Sequence, residues 1–424
     1  MSTKRLLTPS EQLLGQTFIP RELSASGPIK EALWSGLSAT KTIWQACNPT
    51  SPRQTGCIEQ AQAALAARQF DQALNLFATA LQEAADEGHG VMTEVRIHQG
   101  MAEAYTKRGH TTAARESYQT ALDKLVDATG PEQTLTKACV MNNLALLLCK
   151  ADDFREGEAL YVQAINLVEA EFDQPPAGTL AMLYDNLGLL YQASGHEAEA
   201  IEMHQTALRL LGDDSRRHGN LRAEILGNRG LAYMSQGKHD LAAEDLRRSL
   251  RMRSVSQGVP TRQHLHIAIC GALSLYHCGL LHDSERQAKL ALEIHDMLNE
   301  EPGNDLAAIH SILGFVLVSL GRLDEAINHY DACLGSLHSV LVPDALELAD
   351  AHFNLALIHA AVKDHEQSDH HLREAATLMD SLNQGAKERD EHFRKVFLSW
   401  FEDCKKLEVS ELPKVLLLKQ LNSR

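Results

Sequence analysis

The sequence predicts an all-α fold, a solenoid of about eight helix-turn-helix repeats. Composition is the first reason. Aromatic residues are 5% of the 424, alanine and leucine are abundant, and proline is scarce inside long stretches, a mixture that favours helices packed through small side chains. Periodicity is the second reason. A small residue recurs at Ala61, Ala102, Ala145, Gly188, Gly230, Ala272, Gly314 and Ala356, in steps of 41, 43, 43, 42, 42, 42 and 42. The third is that each period divides into two amphipathic stretches on either side of a turn residue.

In chain order, residues 1–54 show no repeat and contain the turn-prone segments TPS, SASGP and NPTSP. Within them, residues 28–46 predict one amphipathic helix carrying Ile29, Leu33, Trp34, Ile43 and Trp44. Residues 55–382 hold the repeats. The first copy is weak, with Gln60 at the leucine position, as terminal repeats often are. In the second, Met101, Ala102 and Tyr105 lie on helix A, Gly109 marks the turn, and Ala114, Tyr118 and Ala121 lie on helix B. The fourth repeats this with Leu187, Gly188, Tyr191, Gly195, Ala200, His204 and Ala207, and the seventh with Leu313, Gly314, Leu317, Gly321, Ala326, Tyr330 and Cys333. The turn glycines suit helix ends that need a left-handed backbone. Copy 5 departs with Arg229 where leucine is usual, and copy 8 with Lys363 where the turn glycine is expected. Prolines recur between units, at Pro131, Pro175, Pro176, Pro260, Pro302 and Pro343, where a helix start loses no hydrogen bond to them. Residues 383–424 predict a capping helix with Phe393, Val396, Phe397, Trp400 and Phe401 at helical spacing, then the tail ELPKVLLLKQL (411–421).

The L-G-x-x-Y run of helix A and the A-x3-Y-x2-A run of helix B resemble the tetratricopeptide repeat, over residues 57–380 and in eight copies. The unit of 42 exceeds that family's usual length of about 34 and is similar to the long repeats of kinesin light chains and related bacterial proteins. The resemblance implies a right-handed superhelical solenoid in which one side of helix A lines a concave groove for peptides. It also implies that asparagines in that groove hold a cargo peptide.

Forty basic residues against 56 acidic ones give a formal net charge of −16, which argues against nucleic-acid binding through phosphates. The eight cysteines (47, 57, 139, 149, 270, 278, 333 and 404) form no C-x-x-C pair, so a reducing, cytoplasmic location is expected. No apolar run reaches the length of a membrane span, and the N-terminus lacks the apolar core of a secretory signal.

No catalytic, metal or cofactor motif survives scrutiny. His365, Glu366, His370 and His371 suggest the zinc motif H-E-x-x-H, but the second histidine is five residues on, off the required helix face. Packing at the repeat's turn explains His365 better. SGLSATKT (35–42) lacks a phosphate loop's second glycine and preceding strand. His204 occupies the place of Phe77, Tyr118, Tyr161 and Tyr330, so it is expected to pack rather than react.

Helical angles supply the functional lead. With the small residue of helix A numbered position 8, positions 4, 7, 8 and 11 share the packing face, and positions 2, 5, 6, 9, 12 and 13 fall opposite. Position 6 reads Asn143, Asn186, Asn228 and Asn354 in copies 3, 4, 5 and 8. Asparagine is a poor helix former, and its amide can pair with an extended peptide backbone. Inter-repeat hydrogen bonding, or repeat ancestry without selection for a ligand, explains the column equally well. In copies 6 and 7 the same side turns apolar, with Ile269, Leu273, Tyr276, Ile312, Phe315 and Val318. Such a wall calls for a cover, either a partner or the chain's own segment 28–46 or 411–421. Arg222 and Arg229, in a locally basic fifth copy, are candidate contacts for an acidic motif. The expected function is a non-catalytic scaffold or adaptor for a protein or peptide partner. The alternatives are a structural subunit of a cytoskeletal or multi-protein assembly, or a peptide-switched regulator, although residues 1–54 are short for an effector domain.

Overall fold

The computed structural model describes residues 56–86, 90–212, 215–256, 260–341 and 345–382. The expected helix at 28–46, the capping helix and the 411–421 tail lie outside these residues. Among the described residues there are sixteen helices and no strand. They run α1 (Gly56–Ala66), α2 (Phe70–Asp86), α3 (Val91–Lys107), α4 (Thr111–Lys124), α5 (Pro131–Lys150), α6 (Phe154–Glu171), α7 (Ala177–Ala193) and α8 (Glu197–Leu211). Then follow α9 (Ser215–Ser235), α10 (His239–Ser256), α11 (Arg262–His277), α12 (Leu281–Leu298), α13 (Asn304–Ser319), α14 (Leu323–His338), α15 (Ala345–Ala361) and α16 (His365–Leu382). Odd-numbered helices are helix A of each repeat and even-numbered ones helix B. No described helix is long and apolar enough to cross a membrane. The chain divides after Ala232 into two compact units.

One backbone device recurs at every A-to-B turn. Arg68, Gly109, Asp152, Gly195, Gly237, Gly279, Gly321 and Lys363 all have positive φ, between 60° and 80°. The residue after each donates its N–H to the carbonyl five positions earlier, as in His110 to Tyr105 (2.9 Å), His196 to Tyr191 (2.8 Å) and Asp364 to His359 (2.9 Å). This is the six-to-one bond of a Schellman ending, and it caps helix A while aiming helix B back along it. Lys363 keeps the conformation without being glycine, because the bond pattern and the packing around it over-determine the turn. Left-handed backbone costs a side-chain-bearing residue about 1–2 kcal/mol, more than the extra chain entropy glycine loses on folding. Lys363→Gly is therefore expected to stabilise the last repeat by about 0.5–1 kcal/mol. Denaturant unfolding checks this, and a destabilised variant would contradict it.

Prolines start helices as expected. Pro131 opens α5 and Pro176 is the residue before α7. Asp153 caps α6 by accepting the Glu156 N–H at 3.4 Å.

Inside each unit, close approach through small residues fills the core. In the first unit a side chain on Gly188 would run into the His204 ring at 2.7 Å, and one on Gly100 into Phe77. In the second, one on Gly314 would meet Tyr330 at 2.5 Å. Phe77, Tyr161, His204 and Tyr330 are fully buried, as are Ala102, Ala145, Ala272 and Ala356. Burying an aromatic ring of this size stabilises by roughly 1.5–3 kcal/mol, and a small residue on the facing helix makes the room for it.

Candidate partner-binding face

In the first unit, α1, α3 and α5 each contact the next helix A as well as their own helix B, and α9 reaches α7 through the Asn228–Asp185 bond. A polar chain threads this seam between successive A helices. Asn186 on α7 donates its Nδ2–H to Asn142 Oδ1 on α5 at 2.7 Å, and Asn142 donates to Asn143 at 3.1 Å. One repeat on, Asn228 of α9 donates to Asp185 Oδ2 of α7 at 2.9 Å. The other Asp185 oxygen lies 2.7 Å from His204 Nδ1, and His204 Nε2 lies 3.1 Å from Gln192 Oε1. Position 6 of one helix A thus bonds position 5 of the helix A before it.

All of this is buried. Asn142 and His204 have no exposure, Asn186 and Asn228 have 2% and Asp185 has 3%. A carboxylate in such a place needs both its donors. With Nδ1–H of His204 donating to Asp185, Nε2 is left as an acceptor facing an amide oxygen. Rotating the Gln192 amide turns its Nε2–H toward the ring and gives a use to an amide nitrogen otherwise buried without a partner.

Three of the four asparagines expected on the open side of helix A do not line a groove. Asn186, Asn228 and Asn354 are buried, and only Asn143 is half-buried. On a single helix the side of helix A facing away from helix B is open. In a stacked array part of that side is the seam with the neighbouring helix A, and positions 5 and 6 fall there. Of the roles open to the column, Asn186 and Asn228 take inter-repeat hydrogen bonding, with Asn142 and Asp185 as partners that the column alone does not name. The sequence signal of this pairing is the polar dipeptide at positions 5 and 6 in consecutive copies, Asn142-Asn143 then Asp185-Asn186.

The apolar set of the second unit is largely internal too. Ile269, Tyr276, Ile312 and Val318 are buried in one continuous core cluster, against which Leu273 and Phe315 are partly buried. Tyr276 and Phe315 are 6.1 Å apart by ring centroids, and Phe315 meets Tyr330 edge-on at 5.8 Å. Arg222 donates to the Gly212 carbonyl at the end of α8, where a cation favours the helix dipole. Arg229 is half-buried. Farther along the inward stripe, burial and the neighbouring Lys107 ammonium bring Lys150 down to about 8. His365 is exposed at the start of α16 rather than packed in the turn. Among the described residues no three potential ligands converge on a metal position.

Family models described as tetratricopeptide repeat match residues 136–213 and 305–381, and another matches 223–255. The chain thus carries tetratricopeptide repeats in these stretches, and all eight helix pairs share their helix-turn-helix pattern. Among solved structures it is similar to the apo form of RapI, with a TM-score of 0.54 at 11% identity, covering 84% of this chain and 99% of that one. Weaker likenesses include a tetratricopeptide-repeat protein from Parabacteroides merdae (TM-score 0.41, 15% identity, 72% and 99% covered) and BtubC (BKLC) from P. vanneervenii (0.34, 17%, 64% and 92%). These are likenesses of fold. No curated protein sequence matches the chain. Stacked repeats of this kind are in general non-catalytic interaction scaffolds, because stacking builds extended binding surfaces without assembling a reactive pocket.

Proposed function

We propose that the protein is a non-catalytic scaffold that binds a protein or peptide partner along the inward side of α3, α5, α7 and α9. The observation that carries this reading is the division of labour within one stripe of helix A. Buried Asn142, Asp185, Asn186 and Asn228 lock the helices in register, while Asn143, Lys107 and Lys150 of the same stripe keep some exposure. Position 13 lies two turns beyond position 6 on nearly the same line, so Lys150 is in line with Asn143. Two neighbouring ammonium groups favour a carboxylate-bearing partner segment, and the Asn143 amide suits an extended backbone. Leu273 and Phe315 are the apolar contacts open to a partner on the second unit, and Arg222 and Arg229 are secondary contacts. Cys139, Cys149, Cys270 and Cys333 are buried thiols used in packing, which fits a reducing, cytoplasmic setting.

The test takes a partner recovered with full-length protein and measures its affinity for Asn143→Asp combined with Lys107→Ala. Aspartate keeps an oxygen to accept from Asn142, removes the donor a ligand carbonyl would use, and adds a charge that repels a carboxylate-bearing partner. Affinity is expected to fall at least about tenfold, worth 1.4 kcal/mol, with unchanged melting. Glu116→Ala, on the exposed side of α4, should bind normally. Unchanged affinity in the double variant would sink this reading.

A further inference from the structure

Two histidine pairs recur at equivalent places in consecutive repeats. His310 on α13 faces His329 on α14, Nδ1 to Nδ1, at 2.9 Å with ring centroids 5.2 Å apart. One period later His352 on α15 faces His371 on α16 at the same 2.9 Å and 5.2 Å. Each pair joins helix A to helix B within its own repeat. A nitrogen–nitrogen contact this short is a hydrogen bond in which one ring N–H donates to the bare nitrogen of the other. One added proton places a charge in a half-buried seam, and a second removes the acceptor and sets two cations face to face.

The surroundings do not favour that charge. Burial first, then His329 and His295, bring His310 down to about 4, with Asp296 opposing. His329 is lowered by burial, then by Lys289 and Arg322, against Glu325 and Glu285. In the second pair, burial followed by His352, His359 and His370 brings His371 to about 4. His352 is lowered mainly by burial, with His338 and His370 adding to it and Glu374 opposing. His359 stacks on His371 at 5.6 Å and lies 3.5 Å from Asp364. Among the described residues no third ligating group completes a metal site at either pair, which leaves the proton as the titrant.

We propose that the two histidine pairs make α13–α16 an acid-labile section of the solenoid, closed at neutral pH and opening locally as the pH falls. The direction follows from linkage. These histidines are harder to protonate folded than unfolded, so their contribution is fully present above about 6.5, the unfolded value. It is lost as the pH falls from there toward about 4, because the opened chain takes up protons that the closed one refuses. The inference is independent of what the inward face binds.

Hydrogen exchange on the full chain tests it, with rates corrected for intrinsic chemistry. Between pH 7.5 and 5.5 the amides of α13–α16 should gain about tenfold in opening per pair, beyond any gain in α5–α8. In His310→Gln/His329→Gln the gain should vanish from α13 and α14 and persist in α15 and α16, and His352→Gln/His371→Gln should show the converse. Equal gains in all helices, or gains untouched by both variants, overturn the proposal. Where a variant fails to fold, the ring C–H resonances of the wild-type histidines decide. His310 and His371 should stay neutral at pH 5.5, and titration of both near 6.5 overturns the idea.

Discussion

Asp185→Ala is expected to be the most damaging single change in the first unit, costing about 3–5 kcal/mol. The carboxylate receives Asn228 on one oxygen and His204 on the other, and alanine leaves both donors buried and unpaired. Each orphan costs about 1–3 kcal/mol, and the cavity adds to it. Because Asp185 bonds both its own helix B and the next helix A, the damage should spread over α7, α8 and α9. Hydrogen exchange of those amides is the proper readout, since long repeat arrays do not unfold as one unit. Arg115→Ala is the contrast. Arg115 makes a 2.7 Å bond to Glu156, but both side chains are exposed, so its loss should cost under about 1 kcal/mol. Similar costs for the two variants would mean that the buried network does not hold the repeats together.

Gly314→Val should destabilise the second unit by about 1–3 kcal/mol. Removing a helix-interior glycine is by itself worth up to about 1 kcal/mol when alanine replaces it, so packing and propensity act in opposite directions here. Packing wins because the added Cβ would lie 2.5, 2.7 and 2.9 Å from three carbons of the Tyr330 ring. That ring is fully buried with Phe315 against its edge, and it has nowhere to slide. Tyr330→Leu should restore much of the loss, and a double-mutant cycle by denaturant unfolding measures the coupling. A stabilised Gly314→Val would show that the two helices are not in close approach.

Much of this was legible in the sequence, and the reasons differ by feature. Repeat number, turn position and the glycine-against-aromatic contact all follow from chain-local constraints. In copies 1 to 4 and 7 the small residue of helix A sits sixteen positions before a ring, as Gly188 does before His204 and Gly314 before Tyr330. The turn at Lys363 looked like a departure because only glycine announces a left-handed residue, although Arg68 and Asp152 adopt the same backbone. The asparagine column was legible as a pattern, with its role left open between a peptide and the neighbouring repeat. A helical wheel holds one helix and one partner, whereas Asn186 meets Asn142 across 44 residues, and that neighbour exists only once the repeats have stacked. The apolar stripe of α11 and α13 misled in the same way, since the next repeat, rather than solvent, faces most of it.

The central claim is that the buried asparagines hold the repeats in register while Asn143 and the lysines beside it meet the partner. Asn186→Ala tests it most directly, with partner affinity and the exchange protection of α5–α9 measured on the same preparation. The account requires protection to fall by about 1–3 kcal/mol, from the orphaned Asn142 oxygen, while the folded fraction binds with unchanged affinity. Intact protection with lost affinity would contradict it and return Asn186 to the ligand.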